Sequence, residues 1–171
     1  QLRQMGFSVD EWSIPVEDKK KIVAWHFHAK GKARPRGIVV QFHGNGDNMT
    51  GHWQYLGWLV DRGYDLVSFD YQGYGKSEGL ATRKNTVSDG IQVIKTFMAR
   101  YPETPLFILG QSLGGAVAVA ALGNLQPSAQ QKICGLIVES AFSSYLGIAE
   151  EKLNDLKVVS PLQKPIASMI S

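Results

Sequence analysis

Short apolar segments rich in β-branched residues recur along the chain and are separated by longer stretches of mixed polarity. Apolar and polar residues alternate over residues 21–28, as in a strand with one buried face. Four further runs are apolar almost throughout, which is typical of parallel strands covered on both faces. These runs are residues 36–42, 64–71, 106–109 and 133–138. A weaker strand signal lies near residues 7–14, so the sequence predicts up to six strands.

Three stretches between the strands carry apolar residues at helical spacing. They are predicted to form helices over residues 50–61, 83–101 and 113–125. Gly63 follows the first stretch, as a glycine often follows a helix, and Pro102 bounds the second. Alternation of strands and helices predicts an α/β fold, with a mostly parallel doubly wound sheet and helices on both faces.

The last part of the chain, residues 143–171, differs from the rest because charged and apolar residues are mixed in it without strand periodicity. It predicts one helix near residues 146–156, followed by a segment interrupted by Pro161 and Pro165. We expect a single domain over residues 1–171 that is incomplete on its C-terminal side. The last part would then be the start of a cap or crossover region.

The composition is that of an ordinary globular domain and excludes disordered, collagen-like and low-complexity classes. Of the 171 residues, 44% are apolar and 19% are charged, and the formal net charge is +3. The basic triplet from Lys19 to Lys21 predicts a solvated strand end, so we expect no nucleic-acid partner. Cys134 is the only cysteine, which excludes a disulfide bond within the chain.

The sequence carries no sign of a membrane span or of a secretory signal. No run of 18 apolar residues is present, and no signal-peptide pattern is visible. The chain begins at Gln1 rather than at a methionine, so a leader or an anchor could precede it. We expect a soluble segment, either cytoplasmic or associated with the cell envelope if such a leader was removed, and the compartment stays open.

The pattern G-x-S-x-G occurs twice, centred on Ser77 and on Ser112. A nucleophile elbow needs a strand that runs directly into the serine and a helix that leaves directly after it. Ser112 has that context, because residues 106–109 precede it and the small-residue helix candidate follows it. Ser77 lies in a polar glycine-rich stretch several residues beyond its strand. We therefore interpret Ser112 as the candidate nucleophile and Ser77 as a loop residue.

Three motifs in this order resemble the α/β-hydrolase superfamily, nearest to its serine esterase and lysophospholipase-like branch. They are His43-Gly44-Asn45-Gly46, Asp70-Tyr71-Gln72-Gly73-Tyr74-Gly75-Lys76-Ser77 and Gly110-Gln111-Ser112-Leu113-Gly114-Gly115. The resemblance covers about residues 20–142, the N-terminal portion of such a domain. It is specific for the superfamily and leaves the substrate open.

The resemblance implies roles for individual residues around Ser112. The backbone N–H groups of Asn45 and Leu113 would form the oxyanion hole, because two donors must point at the developing negative charge. His43 would support the oxyanion loop through hydrogen bonds rather than transfer a proton. The glycines of the same motifs, Gly44, Gly110 and Gly114, would support the loop and the tight turn. Asp70 is expected to shape its turn rather than to act as the triad acid.

The remaining histidines and aromatic residues give weaker signals. His26 and His28 share one face of a strand, but no third ligand with matching spacing is evident, so we expect exposed strand residues and no metal or cofactor. His52 opens a predicted helix and either lines the mouth of the pocket, together with Trp53, or faces solvent. Two further aromatic residues are expected in the core, namely Trp58 and Phe97.

The acid and the base of a complete catalytic triad are not evident in this sequence. In the superfamily the order is Ser, then Asp or Glu, then His. All four histidines here precede Ser112. Asp155 is the only aspartate after Ser112, and Glu139, at the end of the last apolar run, could serve as an acid but has no later histidine to orient. We expect that these 171 residues are an N-terminal piece of a larger enzyme and are inactive alone. An unpaired apolar edge strand at residues 133–138 would then favour self-association or a companion C-terminal fragment.

Two classes of function remain from the sequence. The first is a serine hydrolase that cleaves carboxylic ester or thioester bonds through an acyl-enzyme on Ser112, with a small-molecule or lipid-like acyl ester as substrate. The second is a catalytically inactive α/β-hydrolase fold used as a binding or interaction module. Dehalogenases and epoxide hydrolases of this fold use an aspartate at the elbow and are disfavoured, while a peptidase activity stays open.

Overall fold

A computed structural model describes residues 2–31 and 34–141, which form one six-stranded sheet with helices on both faces. The strands are β1 (Val9–Pro15), β2 (Lys21–Phe27), β3 (Ile38–Phe42), β4 (Asp65–Phe69), β5 (Leu106–Gln111) and β6 (Ile133–Glu139). All six predicted strands are present. The helix and the cap or crossover region predicted within residues 143–171 lie outside the described residues and stay predictions.

The order of the strands across the sheet is β1-β2-β4-β3-β5-β6. β3 to β6 run parallel to one another, whereas β2 pairs antiparallel with both β1 and β4. The sheet is therefore mostly parallel, as predicted. All five residues of β3 and all five of β4 are buried, because both faces of these central strands are covered.

Two apolar clusters cover the two faces of the sheet. The helices are α1 (Met49–His52), α2 (Trp58–Asp61), α3 (Arg83–Arg100), α4 (Leu113–Gly123) and α5 (Pro127–Gln130). The larger cluster joins the sheet to α3 and α4 through residues such as Phe42, Phe97 and Val117. The smaller cluster joins Phe27 and Leu66 to the segment of α1 and α2. Among the described residues, no helix is long and apolar enough to cross a membrane.

The predicted helix over residues 50–61 is wrong as a continuous element. The segment forms α1, a 3-10 turn over Trp53–Tyr55 and then α2. The backbone departs from α-helical values at Leu56 (φ −116°, ψ −1°), and a Cβ atom at Gly57 would lie 2.9 Å from the Trp53 ring, so the two short helices pack closely across the break. The break also shifts the helical phase: Trp58, predicted in the core, is 57% exposed. Phe97 is buried as predicted.

The prediction that His26 and His28 are exposed strand residues is wrong for His26, which is completely buried. β2 is an inner strand, and the His26 ring lies under Trp12, Phe97 and Tyr101. His28 is half-buried on the same face, with the two imidazole centroids 4.3 Å apart.

β6 is the edge strand of the described sheet on the side of the nucleophile motif. It pairs with β5 only, and three of its apolar side chains are largely exposed: Leu136, Ile137 and Val138. The structure therefore has the apolar edge that the sequence predicted at this strand. Whether another chain or another segment pairs with it stays a prediction.

Candidate active site

Ser112 occupies the sharp turn between β5 and α4, one residue after Gln111 and one before Leu113. Its backbone has φ 53° and ψ −119°, a region that residues other than glycine rarely adopt. The turn is held by hydrogen bonds: the Ser112 N–H donates to Glu139 O at 2.8 Å, and the Gly115 N–H donates to Ser112 O at 3.0 Å. The backbone of this serine is thus strained and fixed on both sides.

Two glycines make the turn sterically possible. A Cβ atom at Gly110 would lie 2.6 Å from Gly114 O, because the end of β5 and the start of α4 pass very close together. A Cβ atom at Gly114 would collide with Phe42 O and lie 2.6 Å from His43 O. α4 therefore enters directly against the end of β3, and neither position has room for a side chain.

The loop after β3 lies beside Ser112. A Cβ atom built on Gly44 would be 3.6 Å from the Ser112 Cβ and 3.5 Å from Cε1 of His52. The structure thus brings the first two residues of the predicted oxyanion loop, His43 and Gly44, next to the predicted nucleophile turn. Asn45 follows them and is exposed, and its side-chain oxygen accepts a hydrogen bond from the Tyr74 hydroxyl.

His43 is completely buried behind this loop. Its Nδ1 lies 2.7 Å from Gly44 O, within hydrogen-bonding distance, and its Nε2 lies 3.4 Å from the Asp70 carboxylate. The Tyr71 hydroxyl donates to His43 O at 3.2 Å. These contacts tie the loop to the segment after β4, and they support a positioning role for the ring.

Asp70 and Ser77 form a second set of bonds underneath the site. Asp70 is buried, and its carboxylate accepts a hydrogen bond of 2.6 Å from the Met49 N–H. The Ser77 hydroxyl donates to Asp70 O at 2.7 Å and accepts from the Val23 N–H at 2.9 Å. Ser77, the serine of the other G-x-S-x-G string, therefore lies in a loop, and its hydrogen bonds connect β2 to the segment after β4.

His52 ends α1 and stacks on His43, with ring centroids 5.4 Å apart. Burial lowers the pKa of His52, and the neighbouring His43 lowers it further, so its neutral form is favoured. Within the described residues, no histidine hydrogen-bonds the Ser112 hydroxyl. The side chain next to the serine, Gln111, donates instead to the Glu139 carboxylate at 3.2 Å.

Sequence reasoning missed one buried pair, Gln72 and Asp89, which joins the segment after β4 to α3. The Asp89 carboxylate accepts from the Gln72 N–H at 2.8 Å and from the Gln72 side-chain amide at 2.9 Å. Burial raises the pKa of Asp89, although these hydrogen bonds oppose the shift. The available signal was an aspartate on the buried face of α3, at helical spacing from Thr86 and Val93.

The sequence is similar to a known family of hydrolases and to several individual proteins. The sequence profile of the family described as "Serine aminopeptidase, S33" matches residues 33–167. The protein named "Uncharacterized protein YfhR" from Salmonella typhi is 37% identical over 123 residues, which cover 67% of this chain and 42% of the relative. The Gallus gallus protein named "Lysophosphatidylserine lipase ABHD12" is 32% identical over 130 residues, which cover 70% of this chain and 31% of the relative.

Solved structures share the fold at lower sequence identity. The Pyrococcus furiosus esterase Pf2001 superposes with a TM-score of 0.77 at 20% identity, covering 100% of this chain and 65% of the esterase. A thermostable carboxyl esterase from Bacillus coagulans superposes with a TM-score of 0.68 at 22% identity, covering 88% and 49%. The chain spans only 42% to 54% of the length of the YfhR relatives.

Proposed function

The chain belongs to the serine aminopeptidase S33 family of α/β-hydrolases, within an esterase and lysophospholipase-like branch, and on that premise we propose that it carries the nucleophile of a serine hydrolase. The reaction would be hydrolysis of carboxylic ester or thioester bonds through an acyl-enzyme on Ser112. The base would be a histidine from sequence beyond these 171 residues, since all four histidines here precede Ser112.

The strained backbone of Ser112 is the observation that carries this proposal. A serine at φ 53° and ψ −119° costs about 1–3 kcal/mol relative to an ordinary conformation. The two close glycine contacts hold that conformation, and it turns the residue out of the strand at the start of a helix. Ser77 has no such backbone, since its φ is not in the positive region. A sharp, strained strand-to-helix turn is the geometry that exposes a nucleophilic serine.

In the proposed reaction the Ser112 oxygen attacks the acyl carbon while its proton passes to the base. The carbonyl oxygen becomes an oxyanion, which would be bound by the N–H groups of Asn45 and Leu113. Collapse of this intermediate breaks the bond to the alcohol or thiol, which leaves with the proton from the base. Water then attacks the acyl-enzyme, releases the carboxylic acid and restores the serine.

Contacts of the loop support this division of roles. The side-chain oxygen of Asn45 accepts from Tyr74, and the buried His43 bonds within the loop, so both side chains are engaged while backbone N–H groups remain the proposed donors. Leu113 is the first residue of α4, where N–H groups lack partners within the helix and favour negative charge.

For the substrate we propose a lipid-like acyl ester, with small acyl esters as slower substrates. One relative is named as a lysophosphatidylserine lipase, and the region similar to it covers 70% of this chain. The family description also names an aminopeptidase, so amide substrates form the necessary comparison.

The test is hydrolysis by the protein that contains this chain, with p-nitrophenyl esters of short and long acyl chains, a lysophospholipid and an aminoacyl p-nitroanilide. S112A is expected to lower kcat by a factor on the order of 10⁴–10⁶. S77A is the matched control, because it removes the serine of the other G-x-S-x-G string. Ser77 supports the Asp70 segment through hydrogen bonds, so folded S77A should retain kcat to within about 10-fold. Turnover of the anilide alone would overturn the ester proposal. No turnover of any substrate would favour a binding module.

A further inference from the structure

Two histidines and two carboxylates meet at the end of the sheet opposite to the end that carries Ser112. His26 and His28 lie at the end of β2, and Asp65 begins β4, whereas Ser112 follows the C-terminal end of the parallel strand β5. The antiparallel pairing of β2 with β4 brings them together, since His26 pairs with Val67 and Phe27 with Leu66. No catalytic step described above uses this cluster.

The side chains converge to distances suited to a metal ion. One ligand atom from each of His26, His28 and Asp65 lies within 4.8 Å of the other two. Asp65 Oδ2 is 2.8 Å from His26 Nε2 and 3.8 Å from His28 Nδ1. A tetrahedral ion with ligands about 2.0–2.2 Å away holds them about 3.3–3.6 Å apart, a range between these two distances.

The second carboxylate fixes the ring of His28. Asp10 Oδ2 lies 2.8 Å from His28 Nε2, so the neutral ring donates Nε2–H to Asp10 and presents its Nδ1 lone pair toward Asp65. A lone pair facing a carboxylate is unfavourable, and either a proton on Nδ1 or a metal ion between the two groups removes the repulsion. Metal-binding histidines usually donate their other ring nitrogen to a carboxylate in this way.

His26 supplies a further polar group that the protein leaves unpaired. The residue is completely buried, and its Nδ1 has no hydrogen-bond partner among the described residues. When Nε2 binds a metal, the ion replaces the Nε2–H hydrogen bond to Asp65 and the ring proton moves to Nδ1, where it has no acceptor among the described residues. The other oxygen of Asp65 accepts from the Ala29 N–H at 2.8 Å, which holds the carboxylate in place.

We propose that His26, His28 and Asp65 bind a divalent transition-metal cation such as Zn²⁺, with Asp10 orienting the His28 ring. Two imidazoles and a carboxylate favour zinc and its neighbours over Mg²⁺ or Ca²⁺, which prefer oxygen ligands. The bound ion joins the β1–β2 hairpin to β4, and solvent completes its coordination through the half-exposed side of His28. Its role is to stabilise the sheet rather than to take part in hydrolysis.

Zinc binding is tested by competition with a chromophoric chelator, on protein carrying C134S to remove the exposed thiol. One Zn²⁺ per chain is expected, together with a rise in Tm. His28 is only half-buried, so H28A should fold while its affinity falls at least about 10-fold, and D10N should lose about 10–100-fold. H52A is the matched control, because it removes an imidazole outside the cluster.

Three outcomes would overturn the site. The first is no Zn²⁺ binding even when free Zn²⁺ is raised until the chelator itself is saturated. The second is equal affinity of H28A and its parent, and the third is loss of binding in H52A alone. Circular dichroism of each variant distinguishes lost ligation from lost folding. Displacement of Zn²⁺ by an equal concentration of Mg²⁺ would contradict the ligand chemistry. None of these readouts depends on hydrolysis.

Discussion

The backbone N–H of Ser112 donates a 2.8 Å hydrogen bond to the carbonyl oxygen of Glu139. Glu139 is the last residue of β6, so the nucleophile turn after β5 is held by the neighbouring strand as well as by its own helix. A side-chain hydrogen bond also joins the turn to β6, since the Gln111 amide donates to the Glu139 carboxylate. The conformation of the turn therefore depends on the position of the edge strand.

The strain at Ser112 predicts an inverted preference between alanine and glycine. Glycine adopts positive φ without cost, so S112G should be more stable to urea unfolding than S112A by about 1 kcal/mol. Ser128, inside the short helix α5, is the matched control, because there glycine should be less stable than alanine by about 0.5–1 kcal/mol. Equal stability of S112G and S112A would contradict the strained turn.

Close approach of α4 to β3 predicts a large effect of one added methyl group. G114A places a Cβ against Phe42 O and His43 O and should cost about 2–4 kcal/mol in the free energy of unfolding. G123A is the control at the other end of the same helix. No atom lies within 4 Å of a Cβ there, so that change should be neutral or stabilising by up to about 1 kcal/mol. Similar Tm values for the two variants would argue against the tight packing.

The strands could be predicted because β3 and β4 are covered on both faces, which selects continuous apolar sequences. The elbow could be predicted because its glycines follow from short-range sterics. The break between α1 and α2 could not, since the phase of Trp58 depends on how Gly57 packs against Trp53. The contact of His26 with Asp65 is equally hidden, because it requires β2 to pair with β4 rather than with β3, its neighbour in sequence.

Asp89 predicts a pH-dependent component of stability. Its pKa is raised in the folded state by burial, so the folded protein holds this proton more tightly than the unfolded chain does. The resulting stabilisation is complete below the unfolded pKa of 3.8 and is lost as pH rises through the folded value. D89N lacks this component. Its stability relative to the wild type should therefore increase with pH from pH 4 upward in urea unfolding, and a flat or falling difference would be the contrary result.

The exposed edge of β6 predicts association of the 171-residue chain, and we propose that the apolar residues of this strand mediate it. Ile137 is 58% exposed, and a lysine there would place a charge on the edge. In sedimentation velocity I137K should weaken association by at least about 10-fold, equivalent to about 1.4 kcal/mol. L80K changes an exposed leucine in the loop after β4, away from β6, and should leave association unchanged. A monomeric parent chain at high concentration would refute the proposal.

The identity of the nucleophile is the central claim, and covalent labelling tests it most directly. The folded protein that contains this chain is treated with a fluorophosphonate, and the modified peptide is located by mass spectrometry. The account predicts one phosphonyl adduct, on the Ser112 hydroxyl, which is absent in S112A and present in S77A. An adduct on Ser77 or another serine, or a folded protein that carries no adduct, would contradict it.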